Sequence, residues 1–380
     1  MTNKPVISSA QLLLMSVGSA LVFPYTFMPI LTTPPANQDA WIVLIIMFVY
    51  VLIINAPVLF LMNRFRGMNL NEMVETILGK FFGKVSAILF VLFFLYCFIA
   101  CMLISAVFIN LYIFPETPMW ILLLYMAIPI SYTAYKGAGT IGRLSVFIVP
   151  FIMLTIIVFF LLGLDNMDLS LLQPVLADST FAELNQGAFL TGARYSEILI
   201  FLVFSFYLKQ KSNINKTYAT ALGVFGVCFF LILIPTLTVL GVEYAKHAWN
   251  PYFVFSRHVQ GYDFIERVQS LNTLAWFPAV LLKLIIYNFM GSYVLSGVVK
   301  AKSHKIFVFP LSIIGFILCL LPIMNKSSTV ELLRSDKVFP FVVLPIIFVV
   351  PLIILIVYFF RRKKIKLILQ QNKTIKMPTE

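Results

Sequence analysis

Residues 187–208 read GAFLTGARYSEILIFLVFSFYL, and the understanding of this one stretch decides the fold. It is apolar and long enough to cross a bilayer, because ~20 residues rising ~1.5 Å each span a ~30 Å hydrocarbon layer. Yet it carries Gly192, Arg194, Tyr195 and Glu197. Counted from Gly187, Arg194 lies roughly 10 Å and Glu197 roughly 15 Å into such a layer, which puts the carboxylate near its middle. Ionisable groups at that depth are costly, turn toward the protein interior and mark functional sites.

The rest of the chain is built to the same pattern. Of its 380 residues 61% are hydrophobic and 11% charged, with a mean hydropathy of +0.98. That composition excludes a soluble domain and indicates an all-α polytopic membrane protein. Ten runs are long enough to span, at 8–31, 40–62, 83–112, 118–135, 142–164, 187–208, 217–242, 270–298, 305–324 and 338–360. The first is expected to remain as an uncleaved span, since it is long for a signal-peptide core.

The formal charge of +13 follows the topology rather than a nucleic-acid surface. The termini and even-numbered connections hold twenty Lys and Arg, against six in the odd-numbered connections, and this asymmetry predicts cytoplasmic termini. The two remaining cations, Arg194 and Lys283, lie inside spans. RRKKIK at 361–366 reads as a stop-transfer and lipid-binding tail.

Five spans end on the opposite side from their start, so a second set of five is inverted relative to the first. A single membrane domain is therefore expected to comprise 1–164, an outer loop at 165–186, 187–360 and a basic tail at 361–380. The connection NLNEMVETILGKFFGK predicts an amphipathic helix on the cytoplasmic side. Its counterpart, residues 249–269, predicts another on the outer side. The first span is interrupted by Ser16, Gly18, Ser19 and Pro24, and the sixth by Thr191, Gly192 and Ala193. Interruptions at matching places point to broken helices whose free backbone groups hold a polar ligand. Small residues also serve close helix packing, and that reading stays open beside the first.

Several stretches together carry a family resemblance: ISSAQLLLMSVGSALVFP (7–24), NQDAWI (37–42), MNLNEMVETILGKFFGK (68–84), YKGAGTIGRLSVF (135–147), LLQPVL (171–176), SEILIF (196–201) and YDFIERVQSL (262–271). In order, and over essentially the whole chain, they resemble the spore-germination receptor B subunits, the GerAB-type permeases. That family is similar to the amino acid, polyamine and organocation transporters. The resemblance implies a five-plus-five inverted repeat of the LeuT kind with broken first and sixth helices. It also implies a place in the inner membrane of bacterial spores, recognition of a nutrient such as an amino acid, and A-type and C-type partner subunits. The sequence departs from the family at VGSAL in the first span and RYSEI in the sixth, both where a ligand would bind, so ligand identity does not carry over.

Glu197 matches the family's membrane-embedded glutamate, with Arg194 one helical turn before it. In the implied fold Lys283 approaches both, either neutralising Glu197 or standing where sodium-coupled relatives hold a cation. A buried charge cluster can support a ligand pocket or a path for ions or water, or it can simply fix helix packing. Backbone N–H groups at Ser16, Gly18 and Ser19 suit a carboxylate. Carbonyls at Thr191–Ala193, or Glu197 itself, suit an ammonium group. Tyr96, Tyr287 and Asn288 are further candidates for the pocket, while Asp263, Glu266 and Arg267 suggest an outer gate or a partner contact. The four Cys and three His form no metal-binding pattern, and no phosphate loop or partnered nucleophile is present, so neither catalysis nor a cofactor is expected. A self-sufficient amino acid transporter is the competing reading, and a structural scaffold is a third that leaves the buried charges unexplained.

Overall fold

Backbone in hydrocarbon has to satisfy its own N–H and C=O groups, so the apolar runs fold as helices. The computed structural model describes residues 7–26, 28–195, 197–208, 213–259, 269–324 and 338–375. Among them the only β-type pairing is an isolated bridge between Ile7 and Leu208. The helices are α1 (Ser9–Thr26), α2 (Ala40–Arg64), α3 (Leu70–Leu78), α4 (Lys80–Tyr112), α5 (Met119–Lys136), α6 (Ala138–Gly163), α7 (Phe181–Arg194) and α8 (Ile198–Phe204). They continue as α9 (Ile214–Leu240), α10 (Val242–His247), α11 (Pro251–His258), α12 (Gln269–Val298), α13 (Lys305–Met324), α14 (Val338–Leu344) and α15 (Val350–Ile375).

Each of the ten expected runs contains helix among the described residues, and eight stretches there are long and apolar enough to cross a membrane. The exceptions are α5, diluted by Tyr125, Tyr132, Tyr135 and Lys136, and the Lys305–Leu321 stretch of α13, which is shorter. At the centre stands α12, packed against α1, α4, α5, α6 and α13. Of its most apolar stretch 78% is buried, compared with 28% for Phe341–Leu367 at the periphery.

The two connection helices lie at opposite ends of the bundle. Asn69 and Glu72 cap α3 reciprocally, and its apolar residues Leu70, Met73, Val74 and Ile77 are buried against the protein. At the other end Tyr252 and Phe255 of α11 are fully buried, and the Asn250 amide donates to the Thr26 carbonyl at the end of α1. The Trp276 indole donates to the Thr26 hydroxyl at 2.7 Å, and Tyr25 meets Tyr252 edge-on at 4.8 Å. These contacts close the α11 end of the bundle.

Two of the stretches that carry the family resemblance, residues 37–42 and 171–176, are in contact. Fully buried Asp39 accepts from the Leu176 N–H at 3.0 Å and from the Ser179 hydroxyl at 2.5 Å. Leu176 is in the left-handed region with φ 59°, a conformation that a bulky residue holds only when its surroundings fix it. Asp39→Ala therefore removes the acceptor shared by the part-buried Leu176 N–H and Ser179 hydroxyl, at about 1–2 kcal/mol. Limited proteolysis should cut the 165–180 loop faster in this variant. Unchanged cleavage with an unchanged melting temperature would show the clamp to be idle.

Candidate functional site

The 8–31 run and the 187–208 run are both interrupted, but not where the small residues stand. α1 runs unbroken through Ser16, Gly18 and Ser19 and ends at Thr26, before a short 3-10 turn at Pro29–Leu31. The N–H groups of Ser16, Gly18 and Ser19 are thus committed to the helix, which corrects their reading as carboxylate donors. Gly18 has a packing role, because a Cβ there would come within 2.5 Å of Val149 and 3.4 Å of Leu282. Pro24, within α1, has no N–H to offer the Ala20 carbonyl.

In the sixth run α7 ends at Arg194 and α8 begins at Ile198, so Glu197 sits in the break itself. Thr191 to Ala193 remain helical, with the Thr191 carbonyl taken by the Tyr195 N–H. Gly192 faces Met47 and Val51 of α2 at van der Waals distance, and Ala193 is fully buried. The free-carbonyl reading at these positions gives way to close packing for Gly192, and the break lies just beyond them.

Glu197 and Lys283 form a buried ion pair. Lys283 Nζ lies 2.7 Å from Glu197 Oε1 and also donates to the Ser19 carbonyl at 2.8 Å. The Phe23 ring lies beneath the ammonium at 3.8 Å from its centroid, and the Tyr287 hydroxyl donates to Glu197 Oε2 at 3.3 Å. Lys283 is fully buried and Glu197 nearly so. One ammonium group therefore ties α1, α12 and the break between α7 and α8 together, with a cation–π contact added to the ion pair.

A cavity of about 10 Å³ adjoins the pair, lined by Arg194, Glu197, Phe23, Cys97, Tyr287 and Val343 among others. That is on the order of the space for one water and far below the ~300 Å³ of an ordinary ligand pocket, so this is a closed arrangement. A larger groove of about 280 Å³ lies between the starts of α1 and α9. Its lining, which includes Ser9, Asn213, Lys216 and Thr220, contains one cation and no carboxylate. Volume and chemistry point to different places, and the chemistry is at Glu197.

The other expected residues divide. Arg194 shares the cavity with Glu197, and Tyr287 joins the ion pair. Tyr96 is not in the cavity lining, which α4 supplies through Phe93 and Cys97. Asn288 faces elsewhere: it donates to Ser312, which also accepts from Ser131 at 2.7 Å, and so joins α12 to α5 and α13. Five residues on from Lys283 is about 140° around a helix, whereas Tyr287 at i+4 shares the Lys283 face. Asp263, Glu266 and Arg267 lie outside the described residues. The apolar members of the lining escaped the sequence reading, Phe23, Phe93 and Val343 among them. Phe23 was findable, since it stands four residues after Ser19 on the same face of α1.

A family model described as "Spore germination protein" matches residues 6–328. The chain belongs to the spore germination permease family. Among curated relatives, this spore germination permease is 23% identical over 353 residues to the spore germination protein YndE of Bacillus subtilis, covering 92% of this chain and 94% of that one. It is 24% identical over 336 residues to the putative spore germination protein YfkT of the same organism, covering 87% and 89% of the two chains. Spore germination protein XB of Bacillus anthracis is 22% identical over 321 residues, with coverages of 83% and 88%. In fold, the permease is similar to the crystal structure of MhsT in complex with L-phenylalanine, at a TM-score of 0.62 and 13% identity over 94% of this chain and 99% of that one. It is also similar to a manganese transporter from Eremococcus coleocola, at a TM-score of 0.56 and 10% identity over 93% and 80%. The fold is that of the LeuT-like transporters.

Proposed function

We propose that this spore germination permease is the nutrient-sensing B-type subunit of a germinant receptor, and that it binds a small zwitterion, such as an amino acid, beside Glu197. The observation that carries the reading is the carboxylate of Glu197, placed in a helix break and held by an ammonium that also grips the backbone of α1. Arg194 supplies a counter-charge for a ligand carboxylate, and Glu197 an acceptor for a ligand ammonium. Lys283 stands where a free coupling cation would otherwise be required.

The sensing step is a change of population between two bundle arrangements. At the α11 end Tyr25, Tyr252 and Trp276 close over the site; at the α3 end Phe204 packs on Phe289 at 5.0 Å and Tyr207 on Tyr293 at 5.6 Å. A ligand that fits only when one end opens favours that arrangement, and A-type and C-type subunits read the change. In this reading residues 1–164 and 187–360 are inverted repeats, and both termini face the cytoplasm of the spore or cell.

Glu197→Gln tests the proposal. Spores carrying it should fail to respond to nutrients while the subunit is still detected in the membrane, because the glutamine carbonyl oxygen keeps an acceptor for the Lys283 ammonium. A normal response would remove Glu197 from sensing. The likeness to a transporter holding L-phenylalanine favours a second reading, a self-sufficient amino acid carrier. Uptake of labelled amino acid into vesicles containing only the purified protein would decide for it.

A further inference from the structure

The far end of the bundle from α11 carries a surface that plays no part in the buried site. α3 ends at Gly79, whose φ of +90° turns the chain directly into α4. The two helices fold tightly on each other, since a Cβ at Gly83 would come within 2.7 Å of the Glu75 backbone. α15 backs this corner: Arg361 Nη1 donates to the Ile77 carbonyl at 2.5 Å and would lie 4.0 Å from a Cβ at Gly79. Arg64 Nε donates to the Tyr358 hydroxyl at 2.9 Å, fixing the same helix to α2.

On this rigid corner Phe81 and Phe82 are 73% and 65% exposed, in the first turn of a membrane-crossing helix. Exposed Lys80 and Lys84 flank them, and α15 adds Arg361, Arg362, Lys363, Lys364 and Lys366. Within residues 70–84 and 361–366 seven cations face two carboxylates, Glu72 and Glu75. Two apolar rings at the start of a span, set among cations, are complementary to a lipid whose chains meet the rings and whose phosphate meets the ammonium and guanidinium groups. A zwitterionic headgroup brings its own cation and matches this surface less well.

We propose that the corner between α3 and α4, backed by α15, is a binding site for an anionic phospholipid. The site is independent of the proposed nutrient pocket. Because Arg361 ties α15 to α3, the site draws on two segments far apart in the sequence.

A tryptophan reporter tests it. Phe82→Trp protein is placed in phosphatidylcholine vesicles containing equal small fractions of phosphatidylglycerol and brominated lipid, with bromine on either the phosphatidylglycerol or an equal amount of phosphatidylcholine. The quenching added over that of the parent protein, with its own four Trp, is read. The proposal expects quenching by both lipids and a roughly fivefold preference for the anionic one, the scale of one or two cations near a charged surface. Lys80→Gln/Lys84→Gln/Arg362→Gln on the same background should bring the ratio to about one. High salt should lower it in the unaltered corner, a check that does not depend on the triple variant folding. Equal quenching by both lipids overturns the proposal. So does quenching by neither, which would mean that the rings face water or a partner protein.

Discussion

Glu197→Ala is expected to lower the stability of the permease by about 3–5 kcal/mol, because it leaves the Lys283 ammonium buried without its counter-charge. Lys283 is fully exposed to the penalty: none of its surface reaches solvent, and its remaining partners are one backbone carbonyl and aromatic rings. Lys283→Met should cost a similar amount by removing the ammonium 2.7 Å from Glu197, whose Oε2 still accepts from the Tyr287 hydroxyl at 3.3 Å. The double variant Glu197→Ala/Lys283→Met removes both charges and replaces the ammonium stem with an apolar chain of similar length. Replacing a buried pair by apolar groups is often neutral, so the double should be more stable than either charge-stranding variant. Thermal unfolding of purified protein in one detergent measures all of these, and the coupling between the sites should exceed about 2 kcal/mol. Additive losses would show that the pair does not act as a unit. The double variant has a second use, since a stable protein that no longer answers nutrients would separate the role of the pair in sensing from its role in folding.

That pair was legible in the sequence for a simple physical reason. Charge in hydrocarbon has few places to go, so Glu197 near the middle of one span had only the two intramembrane cations, Arg194 and Lys283, as charged partners within the spans. Gly18 and Gly192 were harder, because a small residue in a span has the same appearance whether it opens the backbone or admits a neighbour. The structure shows the second: Val149 and Leu282 fill the space at Gly18, and Met47 and Val51 that at Gly192. The break in the sixth run lies between Arg194, where α7 ends, and Ile198, where α8 begins, and no Gly or Pro stands between them. Asn288 illustrates another limit. Span membership places a residue at a depth, while the face it presents depends on the rotation of α12, which the surrounding helices set.

Closure at both ends gives the small cavity a physical meaning. A site of about 10 Å³ cannot hold an amino acid, yet its wall carries Arg194 and Glu197 within a shell of Phe23, Cys97 and Tyr287. Under the proposed function the element that changes is the junction of α1 with the α7–α8 break, which Lys283 ties together from the central helix α12. A ligand ammonium competing for Glu197 would loosen that tie, and a ligand carboxylate on Arg194 would compensate for the charge. Binding energy in this scheme goes into separating α1 from the break, which is how a small molecule biases a packed bundle between two arrangements.

Gly187→Ala is the second substitution with a large expected effect, and it acts on the site from a distance. A Cβ at Gly187 would stand 1.8 Å from the carbonyl oxygen of Pro34 and 3.0 Å from its carbonyl carbon. Both are backbone atoms, so no side-chain rotation relieves the clash, and α7 has to move away from the chain that follows α1. Overpacking of this kind costs about 1–3 kcal/mol or more. The displacement also passes along α7, which ends only seven residues later at Arg194, next to the break that holds Glu197. Gly192→Ala is the control on the same helix, because its nearest neighbours would be at 3.4 Å, an ordinary contact. Gly187→Ala should therefore lower both the stability and the nutrient response, while Gly192→Ala leaves the stability within about 1 kcal/mol of the parent. Equal behaviour of the two variants would mean that the contact between α7 and Pro34 does not set the position of Glu197. A shifted response with unchanged stability in Gly187→Ala would instead place this contact among the parts that move during sensing.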